Sequence, residues 1–369
     1  MTSIDVTFLV NGRADGIEAV RAKGLAGALD PARIRFLYRG RSRLLSALKW
    51  AIALMRHRAQ VHYVVNTAMP GAFLAVIWRL LFRVPYVLDT GDAIFAMARQ
   101  SGTKSGWRLP LLWILERLSH RYASAIVVRG TNHREYLVNQ GRKRVIVIRD
   151  GFGEQSTATP EAVQALRQKL GFQDRFVVGI MGSLTYSPRL RICYGWDLLE
   201  ALSHLSDLPV TGLIIGDGDG MSWLSRETLR LGVADRVLFT GRIPYEEVPT
   251  YLRIMDIAMS TQTNNLPGQV RTTGKVPEYM AAERFILASR VGDAALLLPE
   301  LMLIDFNAEV DREYPKRLAE RIRALYQHRE LLEKRRDLSQ LALQECSYEK
   351  LGARLVWVLE ETLKARKGK

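Results

Sequence analysis

The sequence alternates along its length between short β-branched segments and segments with helical spacing. Residues 4–10 (IDVTFLV), 61–66 and 85–90 are typical of buried strands, and helical patterns separate them. This alternation is the pattern of a parallel, doubly wound sheet with helices on both faces. Two further strands are predicted before residue 151, at residues 124–129 and 144–150.

The alternation is interrupted at residues 151–160 and then resumes. This segment, GFGEQSTATP, is rich in Gly, Ser, Thr and Pro and indicates a linker. We therefore predict an α/β protein with two Rossmann-like domains that face a cleft, over residues 1–155 and 156–347. Residues 348–369 are expected to form a C-terminal helix that packs back on the first domain. The strands predicted for the second domain are residues 175–183, 209–220, 236–243, 256–261 and 285–292.

Basic residues are concentrated in the predicted first domain. Residues 1–150 hold 24 Lys and Arg against 9 Asp and Glu, which accounts for the whole net charge of +15. No acidic residue occurs between Asp30 and Asp89, whereas that stretch holds ten basic residues. A basic half beside a neutral half indicates an anionic partner for the first domain. No recognised nucleic-acid-binding motif accompanies the charge, so nucleic acid is not the predicted partner.

The remaining composition excludes several classes of protein. An apolar share of 48% and a charged share of 25% are typical of a folded globular chain. Two cysteines, Cys193 and Cys346, exclude a disulfide scaffold and a cysteine-rich zinc module and fit a reducing compartment. No secretory signal is predicted, because the sequence leads from Met1 directly into a strand. No run of about 18 uncharged apolar residues occurs, so any membrane contact is expected to be peripheral.

Residues 39–58, RGRSRLLSALKWAIALMRHR, have the spacing of an amphipathic helix. Ser42, Ser46 and Lys49 belong to a narrow polar stripe, and the rest of the surface is apolar and includes Trp50. Arginines at both ends and an interfacial tryptophan are typical of a helix that lies on an anionic membrane. Residues 73–83 repeat this mixture. The alternative is that both segments are core helices of the sheet flanks.

Four motifs follow predicted strands of the second domain, where ligands of open α/β sheets bind. In the last motif, Arg271 and Lys275 precede a helix, and cations beside free helix amides suit a diphosphate. Glu278 in the first turn is suited to both hydroxyls of a ribose, and a glutamate favoured by the helix dipole is the alternative. Asp217 and Asp219 lack the other ligands of a calcium loop and are predicted to form a structural turn. The motifs are GIMGSLTYSPRLR (179–191), IIGDGDG (214–220), LFTGRIPYEEVPTYLRIMDIAMS (238–260) and QVRTTGKVPEYMAAERFILAS (269–289).

In this order, the four motifs resemble the carboxy-terminal domain of retaining glycosyltransferases of the GT-B fold, of the family-4 type. Members of that family bind a nucleotide sugar in the second domain and transfer the sugar to an acceptor held by the first. The resemblance implies that Lys275 and Arg189 stabilise the leaving diphosphate and that no metal or other cofactor is needed. The motifs and the resemblance together predict a donor site formed by Gly182, Ser183, Arg191, Gly216, Arg242, Ile243, Arg271, Thr272, Gly274 and Glu278.

Loops that follow strands of the first domain are expected to face the acceptor. They carry Asn11, Gly12 and Arg129, and Asp92 is the candidate that orients the acceptor. The alternative for Asp92 is a helix cap. In the resembled family a histidine is common where Gly91 stands. The loop after the first strand lacks G-x-G-x-x-G, which argues against a dinucleotide-dependent dehydrogenase.

The sequence therefore predicts a hexosyltransferase that uses a UDP- or GDP-linked sugar and acts with retention on a lipid-linked or polysaccharide acceptor. The expected location is cytoplasmic, peripheral on the inner face of a membrane. One alternative is a GT-B sugar-nucleotide epimerase or hydrolase, which would not need the basic amphipathic helix. The other is a non-catalytic nucleotide- or glycan-binding relative, because Val270, Glu283 and Tyr194 replace residues that are frequent in the family.

Overall fold

The computed structural model describes residues 4–101, 107–153, 158–272 and 274–367. Its two halves each contain a six-stranded parallel sheet, and the second half also has a short antiparallel hairpin. This architecture confirms the predicted α/β class with two Rossmann-like domains. The boundary predicted near residue 155 falls on residues 154–157, which lie outside the described part of the chain.

The strands of the first sheet lie in the order β2-β1-β3-β4-β5-β6. They are β1 (Val6–Val10), β2 (Ile34–Tyr38), β3 (Val61–Val65), β4 (Tyr86–Thr90), β5 (Ala125–Val128) and β6 (Val145–Val147). The helices between them are α1 (Ile17–Ala26), α2 (Arg43–Arg56), α3 (Gly71–Phe82), α4 (Ile94–Ser101), α5 (Arg108–Tyr122) and α6 (Thr131–Asn139).

The second sheet has the order β11-β10-β7-β12-β13-β14, and β8 and β9 form the hairpin. Its strands are β7 (Phe176–Met181), β10 (Val210–Ile215), β11 (Val237–Gly241), β12 (Ile257–Ser260), β13 (Phe285–Ser289) and β14 (Leu303–Ile304), with β8 (Tyr186–Ser187) and β9 (Ile192–Cys193) apart. The helices are α7 (Pro160–Lys169), α8 (Trp196–Ser203), α9 (Met221–Arg230), α10 (Val248–Arg253), α11 (Leu266–Val270), α12 (Lys275–Ala281), α13 (Ala294–Leu297), α14 (Tyr314–Gln327), α15 (Arg336–Glu345) and α16 (Tyr348–Lys367).

Strand β2 is absent from the strands that the sequence pattern predicts. It pairs only with β1 at the edge of the sheet, and its residues are only partly buried. Arg35 interrupts its apolar residues, so it lacks the continuous apolar run that central parallel strands need. The two-residue strands β8, β9 and β14 are too short to produce a recognisable pattern.

The C-terminal helix α16 packs on the first domain, as predicted. Leu355 and Leu359 are fully buried in the same apolar cluster as Leu25 of α1. Gly24 of α1 lies under the ring of Tyr348, where a Cβ would come within 2.5 Å of the ring. Helices α1 and α16 therefore cover one face of the first sheet. Helices α2, α3 and α5 pack around the apolar cluster on the other face.

Helix α2 confirms a helix within residues 39–58, and its exposed face departs from the predicted one at Trp50 and Ser46. Trp50 is 3% exposed and its Nε1 donates to the Tyr38 carbonyl (3.4 Å), so it is a core residue and not an interfacial tryptophan. Ser46 of the predicted polar stripe is also buried, where its hydroxyl donates to the Ser42 carbonyl (2.7 Å). The other large side chains of the predicted apolar surface are exposed, namely Leu44, Leu45, Leu48, Ile52 and Met55.

A buried charge cluster lies at the carboxyl ends of the first sheet's strands. The Asp89 carboxylate accepts hydrogen bonds from Arg21 Nε and from the Tyr63 hydroxyl, both at 2.7 Å. Arg21 also donates to the carbonyls of Arg149 (2.7 Å) and Ile148 (2.9 Å). Burial opposes the charge of Arg21, but the attraction of Asp89 and Asp150 outweighs burial and raises the pKa of Arg21. The cluster therefore joins α1 and β4 to the chain that leaves β6.

Arg21→Met should lower the free energy of unfolding by about 3–5 kcal/mol, because removing one partner of a buried ion pair leaves the other uncompensated. Urea unfolding followed by fluorescence measures this change. Arg226→Met is the matched control, since Arg226 is exposed on α9, and it should leave the midpoint unchanged. Equal midpoints for both variants would show that the cluster contributes nothing to stability.

Candidate functional site

Glycines end three neighbouring strands of the second sheet, and one of these strands, β7, lies where the strand order reverses. Gly182 follows β7, Gly216 follows β10 and Gly241 ends β11, with φ of 155°, 136° and 67°. A Cβ on Gly216 would lie 1.9 Å from the Gly182 carbonyl oxygen. These conformations and this contact require glycine. Because these positions have no side chains, the main chain forms the surface beside the switch point, where ligands of such sheets bind.

Lys275 lies directly on this main-chain surface, at Gly182. A Cβ on Gly182 would come within 2.5 Å of Lys275 Cε and Nζ. Nζ is also 3.8 Å from the centroid of the Tyr194 ring, which is a cation–π distance. Helix α12 is fixed in this position because the Met181 amide donates to the Tyr279 hydroxyl (2.9 Å). Lys275 therefore presents its ammonium group at the end of β7.

Glu278 lies about one helical turn from Lys275 and is hydrogen-bonded to the Tyr245 hydroxyl. Burial and the nearby Asp150 carboxylate raise the pKa of Glu278 to about 7. Burial and repulsion by Arg271 lower the pKa of Lys275 to about 7. Both groups thus change charge near neutral pH. A ligand that carries an anion for Lys275 and hydroxyl donors for Glu278 would hold both in their charged forms.

Arg271 joins the two sides of the cleft. Its Nε lies 3.3 Å from Asp92 Oδ1, so a residue predicted on the donor side pairs with one predicted on the acceptor side. The next residue, Thr272, has a buried hydroxyl with no hydrogen-bond partner among the described residues. Gly274 follows and lies beside Asp150, whose Cβ would be 3.7 Å from a Cβ placed there. This loop therefore lies against the first domain.

Arg129 occupies the space above Gly91. A Cβ on Gly91 would lie 2.6 Å from the guanidinium carbon of Arg129. Arg129 Nη1 is 3.4 Å from Asp150 Oδ1, and its Nε is buried without a hydrogen-bond partner in the described part of the chain. A histidine at position 91, as is common in the resembled family, would displace this arginine.

A small cavity at the seam between the domains brings several of these side chains together. Arg129 and Asp150 line it from the first domain, and Gln262, Arg271 and Thr272 line it from the second. Polar atoms of Gln262 and Asp150 that are buried in this region have no hydrogen-bond partner within the described residues. The cavity is therefore shared between residues predicted for the donor and for the acceptor, and apolar side chains such as Val276 and Leu297 complete its lining.

Arg189 is not brought into this cluster, which is a correction to its predicted role at the diphosphate. Its guanidinium pairs with Glu309 of the second domain and donates to the Gln100 carbonyl of the first domain, so these two bonds hold it at the contact between the hairpin and the first domain. Arg191 is exposed on the same hairpin, with left-handed backbone (φ 54°). The preceding Ser183 hydroxyl is 3.1 Å from the Thr185 hydroxyl.

Four other predicted residues lie in loops that follow strands β1 and β11. Asn11 Nδ2 donates to the Asn66 carbonyl (2.7 Å) and its Oδ1 accepts from the Gly71 amide (2.8 Å), which occupies the side chain. Gly12 is covered by the Glu18 carboxylate, 2.4 Å from where a Cβ would be. Arg242 reaches across the cleft and donates to a carbonyl of the loop after β1 (3.2 Å). Ile243 packs against the second-domain core.

Three residues of the site carry no sequence signal that was predicted to be functional. Asp150 ends a predicted strand immediately before the linker, and the rule that ligands meet strand ends would have identified it. Tyr245 lies two residues after Ile243, but nothing in the sequence predicts its bond to Glu278. Asp293, which also lines the seam cavity, follows a glycine after β13 and carries no motif of its own.

Two protein-family models match the chain, one in each domain. A model described as "Glycosyl transferase 4-like domain" matches residues 3–151, and one described as "Glycosyl transferases group 1" matches residues 175–328. The first match ends at residue 151 and the second begins at residue 175, so most of the predicted linker lies between them. Together the two matches cover both sheets.

Curated relatives match parts of the chain. A 2-deoxystreptamine glucosyltransferase of Streptomyces kanamyceticus is 25% identical over 221 residues, 58% of this chain and 54% of that protein. A GDP-mannose-dependent alpha-(1-6)-phosphatidylinositol monomannoside mannosyltransferase of Mycolicibacterium smegmatis is 35% identical over 151 residues, 39% of this chain and 36% of that protein. The chain thus matches about half or less of the length of these relatives.

Solved structures share the fold over almost the whole chain. Anabaena HepE in complex with UDP-glucose superposes with a TM-score of 0.78 at 19% identity and covers 97% of this chain and 100% of its own. WaaG, a glycosyltransferase involved in lipopolysaccharide biosynthesis, has a TM-score of 0.70 at 14% identity and covers 95% of this chain and 98% of its own. With both family models and this fold in agreement, the chain belongs to the glycosyltransferases of the GT-B fold, of the family-4 type.

Proposed function

We propose that this chain transfers a hexose from a nucleoside diphosphate sugar to a lipid-linked or saccharide acceptor, with retention at the anomeric carbon. The observation that carries the proposal is the position of Lys275 on the Gly182 backbone, with Glu278 one turn along the same helix. A cation at the strand end suits a diphosphate, and a carboxylate one turn away suits a ribose.

The transfer would depend on charge stabilisation at the leaving group. The bond between the anomeric carbon and the diphosphate oxygen breaks, and the growing negative charge on the diphosphate is stabilised by Lys275 and Arg271. The acceptor oxygen bonds to the anomeric carbon on the face that the diphosphate leaves, and its proton passes to a diphosphate oxygen. No metal or other cofactor is part of this proposal. Helix α12 has only seven residues, so side-chain cations carry most of the stabilisation.

Asp92 is proposed to orient the acceptor hydroxyl from the first domain. Its Oδ1 lies 3.3 Å from Nε of Arg271, and Arg271 lines the seam cavity. When Arg271 turns toward a diphosphate, the Asp92 carboxylate gains an acceptor position for a hydroxyl donor. A strong general base is not required, because the departing diphosphate takes the proton.

Relatives suggest the donors and acceptors to test. The Streptomyces kanamyceticus relative is named a glucosyltransferase, the Mycolicibacterium smegmatis relative is named GDP-mannose-dependent, and the HepE structure contains UDP-glucose. Incubation with UDP-glucose and GDP-mannose, with and without a lipid-linked acceptor, tests the proposal. Transfer that requires the acceptor supports it. Donor breakdown without an acceptor would indicate a hydrolase, and no reaction with bound nucleotide would indicate a binding protein.

An apolar and basic face of the first domain supports a membrane location. We call it the apolar–basic face: the exposed apolar side chains of α2 together with those of α3 and α5, which pack on the same side of the sheet. Its members on α3 are Phe73, Leu80, Leu81 and Phe82, and those on and next to α5 are Trp107, Leu111, Trp113, Ile114 and Leu118.

Charge on this face favours an anionic surface. The sequences of α2, α3 and α5 contain basic residues among the apolar ones, and Glu116 is their single acidic residue. Glu116 is partly buried and accepts a hydrogen bond from the Phe95 amide. Within the described residues, no helix combines the length and apolar character needed to cross a bilayer. We therefore propose peripheral contact with an anionic inner leaflet, with Trp107 and Trp113 in the interfacial role expected of Trp50.

Glu278→Gln should weaken binding of a nucleoside and of its diphosphate by the same factor, roughly tenfold to a hundredfold, because the lost charged hydrogen bond is to the ribose. Since the pKa of Glu278 is raised to about 7, nucleoside affinity of the unmodified protein should rise between about pH 6 and pH 8. Calorimetric titration measures both effects. Glu283→Gln, at an exposed position just beyond the same helix, is the control and should change neither.

Lys275→Met should remove the preference for nucleoside diphosphate over nucleoside, a loss of roughly tenfold to a hundredfold at neutral pH. In the unmodified protein this preference should fall by up to about tenfold per pH unit above pH 7, because the pKa of Lys275 is lowered to about 7 and the ammonium loses its proton there. The phosphate, with a second pKa of about 6, keeps its charge over that range. A preference that persists in the variant would assign the diphosphate to other cations.

Replacing Arg41, Arg43, Lys49, Arg56 and Arg58 by Ser should release the protein from vesicles that contain anionic lipid. Each basic residue near an anionic surface contributes about 1 kcal/mol, so vesicle binding should fall by at least about a hundredfold, and added salt should act similarly. Co-sedimentation with anionic and neutral vesicles measures the change. The control replaces five exposed basic residues of the second domain by Ser, namely Lys169, Arg175, Arg226, Lys316 and Lys334. Absence of binding by the unmodified protein at low salt would refute the membrane location.

A further inference from the structure

A carboxylate of the second domain caps a helix of the first. Asp293 is 3% exposed and precedes α13. Its Oδ2 accepts a hydrogen bond from the Thr131 amide (3.0 Å), and its Oδ1 accepts one from the Asn132 amide (3.3 Å). These are the first two amides of α6, which lack partners within the helix. The carboxylate also pairs with Arg149, on the segment that leaves β6.

The sequence of α6 supplies no cap of its own. The residue at its cap position is Gly130, which has no side chain to accept the free amides. Asp293 Oδ1 lies 2.6 Å from where a Cβ of Gly130 would be, and the Thr272 methyl group lies equally close. Any side chain at position 130 would therefore push the two domains apart. Gly130 makes room for the carboxylate that does the capping.

A second side chain strengthens the same contact. Gln269 Oε1 accepts hydrogen bonds from Asn132 Nδ2 (3.3 Å) and from the Gly292 amide (3.1 Å). It therefore ties the first turn of α6 to the residue before Asp293. The seam cavity, with Arg129 on one side and Arg271 on the other, is lined in part by Asp293 itself. The cap and the cavity are consequently parts of one contact between the domains.

We propose that Asp293 is a positioning residue that holds the two domains in register across the cleft by capping α6 from the opposite domain. Separation of the domains leaves two amides of α6 and the Arg149 guanidinium without their partner, so the order of this helix end depends on cleft closure. For catalysis the inference rests on the proposed glycosyl transfer, because the cap keeps Asp92 and Arg129 opposite Arg271 and Thr272. The conformational part does not depend on it.

Asp293→Ala should make the amides of Thr131 and Asn132 exchange with solvent roughly twofold to thirtyfold faster, the range for a lost helix cap. It should also increase the radius of gyration measured by solution X-ray scattering. Asp293→Asn should keep much of the protection, since asparagine caps helices about as well as aspartate, and should lose only the charge pairing with Arg149. Faster amide exchange in Asp293→Ala than in Asp293→Asn would show that protection depends on capping and not on the ion pair with Arg149.

Asp311→Ala is the matched control. Asp311 is also a buried carboxylate that accepts two backbone amides and pairs with an arginine, Arg317, but all its partners are in the second domain. It should leave α6 exchange and the radius of gyration unchanged. Unchanged exchange and radius in folded Asp293→Ala, or the same changes in Asp311→Ala, would overturn the proposal.

Steady-state kinetics, with a donor that the protein turns over, test the catalytic part of the proposal. Asp293→Ala should lower kcat by roughly tenfold to a hundredfold, because misplacement of the opposing groups is costly, and should leave the donor KM within about twofold. Asp293→Asn should restore part of kcat. Equal kcat in all three proteins, together with faster exchange in the alanine variant, would limit Asp293 to a conformational role and contradict its positioning of the reaction. If no donor is turned over, the exchange and scattering results still decide the conformational claim.

Discussion

The geometry of the cleft depends on the pairing of the buried Asp89 carboxylate. Arg21 and Tyr63 hydrogen-bond one of its oxygens, and Arg129 Nε approaches the other at 3.9 Å. A buried charge without such partners would be strongly destabilising. The requirement to pair it therefore fixes α1 and the ends of β4 and β5 together. Arg21 also holds the chain that leaves β6, so the segment that leads to the second domain starts from a defined position.

The second domain supplies the opposite wall with a different device. Glycines at three strand ends leave the main chain there without side chains, so that Lys275 lies on the main chain of Gly182. Burial brings the pKa values of Lys275 and Glu278 close to neutral pH. A charged ligand has its largest effect on the protonation of groups whose pKa lies near the ambient pH. Contacts such as Arg271–Asp92 and the Asp293 cap then bring this wall against the first domain.

The sequence predicts the part of this arrangement that follows local rules. Strand and helix alternation predicts both sheets. It also predicts a strand end at Gly182 and a loop that leads from Arg271 into the helix that begins near Lys275, because these features depend on neighbours in sequence. It does not predict that Arg189 pairs with Glu309 or that Trp50 is buried, because both depend on which distant segment packs there. Asp293 is missed for the same reason, since its partners are more than 140 residues away in the chain.

The most direct test of this account is the pKa of Lys275, measured by NMR titration of protein with carbon-13-labelled lysine and assigned with Lys275→Met. Burial and the neighbouring Arg271 should hold this pKa at about 7 in the free protein. The pKa should rise by at least about one unit when a saturating nucleoside diphosphate binds beside the ammonium group. A pKa near the ordinary lysine value of about 10.4 that does not respond to the nucleotide would contradict the assignment of this site to a diphosphate.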